Sequence, residues 1–208
     1  MPVKKKRRFS GEQRRQQIVR VAERLFSKKG FRGTTTREIA KKAGISEATI
    51  FKHFSGKEDL YRAIINRCCD DAGGGIAFIK RIENKEGVEL FREVARFFME
   101  KYREDPSFAR LLMFSALEER NFSDIFIKSK GMDSLNYLSK RIEELMKKGV
   151  FRRANPTLCA RAFLGMIMHY CMLQEIYGFK RFMDFPQEEV IDTFVEIFTR
   201  GMSKQGGK

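Results

Sequence analysis

Apolar side chains recur at intervals of three and four residues along most of the chain, which is the spacing of one buried face of an α-helix. The first such segment covers residues 11 to 29, and the residues on its apolar face are Ile18, Val21, Ala22, Leu25 and Phe26. Few segments alternate strictly, as a half-buried strand would, and only four prolines interrupt the 208 residues. The pattern therefore predicts an all-α protein.

Glycines and capping residues divide the N-terminal region into three predicted helices. Gly30 follows the first helix, where a glycine can adopt the left-handed conformation of a C-cap. Thr35 and Glu38 are spaced as a capping box for a second helix. Gly44 ends that helix, and Ser46 is a natural N-cap for a third. Two short helices joined by a glycine turn and braced by a longer one predict a helix-turn-helix, whose second helix enters the major groove of DNA.

The rest of the chain is predicted to be helical as well. The candidate helices cover residues 57–72, 87–104, 107–119, 122–148, 156–177 and 187–202. We expect an N-terminal DNA-binding domain over residues 1–56, a connecting helix to about residue 72, and a larger helical domain over 73–208. The three glycines Gly73 to Gly75 should end or bend the connecting helix, either loosening the joint between domains or forming a simple loop.

Positive charge is concentrated at one end of the chain. The formal net charge is +15, and residues 1 to 62 carry 18 Lys and Arg against 6 Asp and Glu, or +12. Clustered cations at one end indicate a surface for nucleic-acid phosphates, although a solvated lysine-rich surface is the alternative. The run Lys4 to Arg8 is either a solvated tail or an arm that follows phosphates or the minor groove, and its place before the helix-turn-helix favours the arm.

The sequence argues against an enzyme, because the chain has two histidines and no nucleophile motif, phosphate loop or metal-spaced cluster. His169 and Cys171 are two positions apart on a predicted helix and point in different directions, so we expect no metal site and no cofactor. Cys68 and Cys69 are either a redox pair or buried small hydrophobes. No membrane span or secretory signal is visible, so a cytoplasmic location is expected.

The stretch GFRGTTTREIAKKAGISEATIFKHFSGKEDLYRAI, within a match over about residues 11 to 65, resembles the DNA-binding region of the TetR/AcrR family of bacterial transcription regulators. The resemblance implies a homodimer that binds a palindromic operator in double-stranded DNA, and a larger domain that serves for dimerisation and for binding a small hydrophobic or amphipathic effector. It places at the DNA backbone the residues Thr36, Arg37, Phe51, His53 and Lys57. It places at or near the bases the residues Glu47, Ala48, Thr49 and Lys52.

Four of these positions have specific physical consequences. Arg37 lies in the first turn of the second helix, where backbone dipoles favour a phosphate. The family usually has tyrosine at Phe51, so a phosphate-binding hydroxyl is missing and core packing is as reasonable as DNA contact. His53 either packs locally or contacts a phosphate. Glu47 either accepts a hydrogen bond from a cytosine amino group or is simply exposed.

The apolar stripes of the C-terminal domain allow two interpretations. One stripe on the last helix consists of Ile191, Phe194, Val195 and Phe198, and another on the preceding helix consists of Phe163, Met166, Ile167 and Tyr170. Either these stripes form the core of one chain or they meet their copies across a two-fold axis. The resemblance further suggests an effector pocket between helices, with candidate lining residues Phe97, Met113, Phe114, Leu117, Met166 and Tyr170.

The resulting hypothesis is a sequence-specific transcriptional regulator, most simply a repressor that a lipophilic effector releases from its operator. The alternative is an architectural protein that binds DNA without any effector. The two differ in sequence specificity, because a regulator should prefer its own site by about three or more orders of magnitude.

Overall fold

The computed structural model describes residues 9–71, 76–118 and 132–204, without the side chains of residues 68–71 and 76. The predicted basic arm Lys4 to Arg8, the glycines Gly73 to Gly75 and the thiols of Cys68 and Cys69 therefore lie outside the described residues. The first part of the helix predicted over 122–148 lies outside them as well.

The regular elements in the described part of the chain are helices, together with an isolated antiparallel bridge between Phe151 and Ser203. The α-helices are α1 (Gly11–Lys29), α2 (Thr36–Ala43), α3 (Glu47–Phe51), α4 (Lys57–Asp71), α5 (Ile76–Ile82), α6 (Gly87–Glu104), α7 (Ser107–Leu117), α8 (Asp133–Lys147), α9 (Pro156–Glu175) and α10 (Gln187–Met202). A 3₁₀-helix covers Phe179–Arg181. This confirms the predicted all-α class.

Helices with local start and stop signals match their predictions. The bounds of α1, α6 and α10 coincide with the predicted segments. Helix α5 was not predicted, because a short apolar run of seven residues after three glycines reads equally well as part of a loop.

The caps explain where α1 and α2 begin. Ser10 and Gln13 form a capping box at the start of α1, with each side chain accepting the other residue's backbone N–H. At α2 the Thr35 hydroxyl accepts from the backbone N–H of Glu38 at 3.1 Å, as predicted. The Glu38 carboxylate, however, pairs with Lys29 at 2.6 Å. An ion pair to α1 therefore takes the place of the predicted return bond.

The described chain divides into two compact units. Residues 9–67 and 110–118 form one, which we call the head unit, and residues 68–71, 76–109 and 132–204 form the other, which we call the body unit. Phe26, Phe31 and Tyr61 make mutual ring contacts in the core of the head unit, with centroids 5.1 to 5.8 Å apart. The head unit therefore contains the three predicted N-terminal helices and also the C-terminal part of α7.

The body unit is built around an aromatic core between α6, α9 and α10. The Phe91 ring lies 5.2 Å from the rings of Phe163 and Phe198 and 5.8 Å from that of Phe151. The other fully or nearly buried residues of the two predicted stripes are Ile167, Ile191 and Val195. For these residues the structure decides in favour of the core of a single chain, since they have little surface left to offer a second copy.

Candidate nucleic-acid interface

A tight glycine turn joins α2 to α3. Gly44 adopts the left-handed conformation, with φ 67° and ψ 38°, and its N–H points to carbonyls in the last turn of α2. The Ser46 hydroxyl then accepts from the backbone N–H of Thr49 at 3.2 Å, which caps α3. The Gln17 side chain donates to the carbonyl of Ala43 at 3.0 Å and ties α1 to this turn. The geometry is that of a helix-turn-helix.

The outer surface of α2 and α3 exposes most of the residues expected at DNA. Arg37, Ala48 and Lys52 are exposed, and Thr49 and His53 are partly exposed.

Phe51 has 52% of its surface exposed, so the interpretation of Phe51 as a core residue is wrong. An aromatic ring of this size on the surface of a helix-turn-helix is available for contact with a sugar or a base methyl group.

Glu47 has a role that neither sequence-based alternative included. Its carboxylate accepts a hydrogen bond from the Thr36 hydroxyl at 2.5 Å. Because Thr36 begins α2 and Glu47 begins α3, this bond fixes the first turns of the two helices relative to each other. The Thr49 hydroxyl is likewise engaged, 2.8 Å from the Ser46 hydroxyl.

Lys57 braces the turn between α1 and α2. Its ammonium donates to the carbonyls of Phe31 at 2.8 Å and Thr34 at 2.9 Å, and it lies 4.2 Å from the centre of the Phe31 ring. These contacts bind two carbonyls of the segment between α1 and α2 to the first residue of α4. A phosphate contact by Lys57 stays a prediction, and the bracing role was not visible in the sequence.

Glu118 also binds the segment between α1 and α2, at its backbone N–H groups. Its two carboxylate oxygens accept the backbone N–H groups of Phe31 and Arg32, both at 3.1 Å. Gly30, the residue before Phe31, has a φ of 71°. A Cβ atom at Gly30 would lie 2.4 Å from a Glu118 oxygen and 2.9 Å from the Phe114 ring. Glu118 and Arg32 are 86 residues apart, so no local pattern points to this contact.

The charges around α2 and α3 are mostly uncompensated. Arg37, Lys41, Lys42 and Lys52 make no ion pair with an acid in the part of the chain that the structure describes. Uncompensated cations on one surface attract a polyanion and raise its association rate.

The described residues offer neither a metal site nor a membrane-spanning helix. No cluster of His, Cys, Asp and Glu among the described residues is suited to a metal ion. None of the described helices has the length and apolar character needed to cross a bilayer.

Comparison with protein families assigns both parts of the chain. The family described as bacterial regulatory proteins, tetR family, matches residues 18–64, and the C-terminal domain of AefR-like transcriptional repressors matches residues 89–201. The chain belongs to the TetR family. It is therefore a DNA-binding transcriptional regulator, and the helix-turn-helix of α2 and α3 is its DNA-binding element.

Similar proteins extend over nearly the whole chain. The HTH-type transcriptional regulator YvkB of Bacillus subtilis is 27% identical over 188 residues, covering 89% of this chain and 95% of YvkB. The nucleoid occlusion factor SlmA of Glaesserella parasuis is 24% identical over 194 residues, covering 90% and 94%. The crystal structure of AibR with isovaleryl coenzyme A and operator DNA has a TM-score of 0.70 at 23% identity, covering 88% of this chain and 97% of AibR. That structural likeness shows the shared fold.

The six residues predicted to line an effector pocket divide between the two units of this TetR protein. Phe97, Met166 and Tyr170 belong to the body unit, where Phe97 is buried between Phe78 and Phe98. Tyr170 is partly exposed, with its ring 5.7 Å from that of Phe194.

The other three predicted lining residues, Met113, Phe114 and Leu117, belong to the head unit. Phe114 packs close to Gly30, and Leu117 is 79% exposed. Their role at an effector stays a prediction.

Proposed function

We propose that this protein is a repressor that binds a palindromic operator as a homodimer and is released from it by a small hydrophobic or amphipathic molecule. The observation that carries the proposal is the surface of α2 and α3, where Arg37 and Lys52 lack acidic partners in the described chain and Phe51 and Thr49 are accessible. Such a surface offers cations for phosphates and short side chains for base edges. A regulator acting on the chromosome of a bacterium works in the cytoplasm.

Exposed faces of α9 and α10 support a homodimer. The sides of these helices turned away from the core carry Leu158, which is 64% exposed, and Ile197, which is 58% exposed. Ala162 and Gly165 follow Leu158 along the exposed side of α9, and small residues allow a second pair of helices to approach closely. A two-fold symmetric dimer has two helix-turn-helix elements, which suits a palindromic site whose half-sites lie one DNA turn apart, about 34 Å.

An effector can release the protein from its operator if it binds the DNA-free conformation more tightly than the DNA-bound one. A molecule that binds one spacing of the two DNA-binding elements more tightly than the other shifts the protein towards that spacing by its difference in affinity. The binding of isovaleryl coenzyme A by AibR supports an effector for this chain, since the two share a fold. The partly buried methionines and aromatic residues of the body unit, including Met166 and Tyr170, provide apolar surface for it.

The experiment that tests the proposal is selection of bound duplexes from a random DNA pool at about 0.15 M salt, where non-specific binding is weak. We expect a two-fold symmetric motif, and light scattering should give the mass of a dimer. A Thr49→Ala variant should change the preferred bases at defined positions, whereas Lys147→Ala, an exposed lysine of the body unit, should leave the motif unchanged. Tight binding without an enriched motif would contradict the proposal and support an architectural protein.

A further inference from the structure

The side of α9 that faces the core ends in a polar residue. The buried residues that follow one another along this side are Ala160, Phe163, Leu164, Ile167, Cys171 and Gln174. All are apolar or weakly polar except the last, and Gln174 is only 8% exposed. A glutamine at a position where the pattern of the helix calls for an apolar residue is a local inconsistency of the kind that functional sites produce.

The side-chain carbonyl of Gln174 is buried without a hydrogen bond. Its Oε1 atom accepts no bond from any group in the described chain. Buried carbonyl oxygens are nearly always paired in folded proteins, because desolvation without a partner destabilises the folded state. The free form of this protein thus retains an unsatisfied acceptor at the end of its α6–α9 core.

Two titratable groups, Tyr170 and Cys171, precede Gln174 by one turn of α9, and Tyr102 interacts with Cys171. Burial raises the pKa of Tyr102, which lies on α6, to about 12, with a smaller contribution from Cys171. Burial likewise raises the pKa of the Cys171 thiol to about 12. The pKa of Tyr170 is raised, first by burial and next by the Asp184 carboxylate. Near neutral pH these three groups keep their protons.

The charged groups at the edge of this cluster are the acids Glu175 and Asp184 and the bases Arg103 and Lys180. Glu175 raises the pKa of Cys171, whereas Arg103 lowers it. Glu175 is also paired with Lys180 at 2.7 Å. A ligand carboxylate would therefore gain little from charge here and would lose its hydration, whereas a neutral hydroxyl or amide would lose much less.

We infer that the Gln174 carbonyl is the polar anchor of the effector site, accepting a hydrogen bond from the hydroxyl or amide N–H of a neutral amphipathic molecule. The inference rests on the proposed release by an effector and narrows the chemistry of that effector. The bound molecule donates the hydrogen bond that the Gln174 carbonyl lacks in the free protein. Part of the binding free energy therefore comes from satisfying this buried acceptor. The apolar part of the ligand packs against the partly buried aromatic and methionine side chains of the body unit.

The first test needs no ligand and compares Gln174→Met with the wild type by thermal unfolding. Methionine has a similar volume and no buried carbonyl, so we expect the melting temperature to rise by about 3 °C. Gln16→Met, at a partly exposed position of α1, is the matched control and should change it little. A lower melting temperature for Gln174→Met would overturn the inference, because the carbonyl would then contribute to stability in the free protein.

The second test uses three probes that share one apolar chain: decanol, its methyl ether and decanoate. Decanol should raise the melting temperature of the wild type and bind about tenfold more tightly than the ether, which cannot donate. Decanoate should bind more weakly than decanol. In Gln174→Met the preference for the alcohol over the ether should be lost.

Three results of this series would overturn the inference. Equal binding of alcohol and ether by the wild type would show that no acceptor is involved. Tighter binding of the ether would also overturn the inference, because an ether cannot donate to the Gln174 carbonyl. No shift with any probe would exclude this ligand class. None of these results affects the operator selection described above, so the proposed repressor function is judged separately.

Discussion

The head and body units use charged side chains in opposite ways. In the body unit acids and bases pair with one another: Glu93 pairs with both Arg81 and Arg96, and Arg96 also binds Glu188 at 2.8 Å. In the head unit two charged residues are bonded to the backbone, since Glu118 accepts from amide N–H groups and Lys57 donates to carbonyls. Lys29 pairs with Glu38, but the cations on the outer surface of α2 and α3 are left without acidic partners in the described chain. The body unit thus uses charge for stability, and the head unit keeps charge available for DNA.

Electrostatics support this division. Burial acts to raise the pKa of Glu93, but hydrogen bonds from Arg81 and Arg96 outweigh it and hold the pKa below its ordinary value. The hydrogen bond to Glu188 raises the pKa of Arg96 despite its partial burial. The exposed cations Arg37, Lys41, Lys42 and Lys52 around α2 and α3 have no such partners in the described chain, so their mutual repulsion is relieved when a polyanion binds.

The largest effect is expected for Gly30→Ala in the head unit. The new Cβ would lie 2.4 Å from the Glu118 carboxylate, at a φ of 71° that L residues rarely adopt. We expect a loss of about 3 kcal/mol in the free energy of unfolding, together with weaker DNA binding. Chemical denaturation would measure it, and Gly56→Ala is the control, because a Cβ there would meet nothing within 4 Å beyond its chain neighbours and its φ is not positive. Equal stability of the two variants would mean that Glu118 does not hold the turn.

Glu93→Gln tests the pairing of charges in the body unit. Replacing a carboxylate that is 11% exposed and shared by two arginines should cost about 2 kcal/mol near neutral pH. Since the folded pKa of Glu93 lies below its ordinary 4.5, its stabilisation is present above that pH and is lost as the pH falls through the folded value. The difference between variant and wild type should therefore shrink in acid. Unfolding curves measured from neutral pH to about pH 3 would show this, and a constant difference would argue against an ionic role.

Lys57→Met asks whether this lysine acts on the backbone or on DNA. Loss of two bonds to the carbonyls of Phe31 and Thr34 should lower the free energy of unfolding by about 1.5 kcal/mol. If bracing is its main role, the dependence of DNA affinity on salt should stay nearly the same. A salt dependence that decreases by about one unit of log K per unit of log salt, with stability unchanged, would instead establish a phosphate contact.

The smallest effect on stability is expected for Arg37→Ala, which lies on the exposed side of α2. Affinity for DNA of any sequence should fall about tenfold and the salt dependence should decrease by about one unit, while the free energy of unfolding changes little. Arg200→Ala is the matched control, because Arg200 is exposed and paired with Glu196 in the body unit. A change in base preference with an unchanged salt dependence would show that Arg37 reads bases.

Local signals explain which parts of the fold were predictable. Helices α1, α6 and α10 have apolar faces at helical spacing, and the predicted bounds agree with the structure. The exposed positions Arg37 and Lys52 also followed from the motif, since the pattern of a helix-turn-helix dictates which face is turned outwards. Helix α5 did not follow, because its seven residues are too few for periodicity to distinguish them from a loop.

The sequence by itself determined the all-α class, the helix-turn-helix and the concentration of positive charge, because caps, glycines and helical periodicity act over a few residues. Only the tertiary structure decided that Glu118 binds the turn after α1, that Glu47 is held by Thr36 and that the carbonyl of Gln174 lies buried without a partner. These contacts depend on how helices pack, and packing brings together residues whose separation along the chain carries no signal.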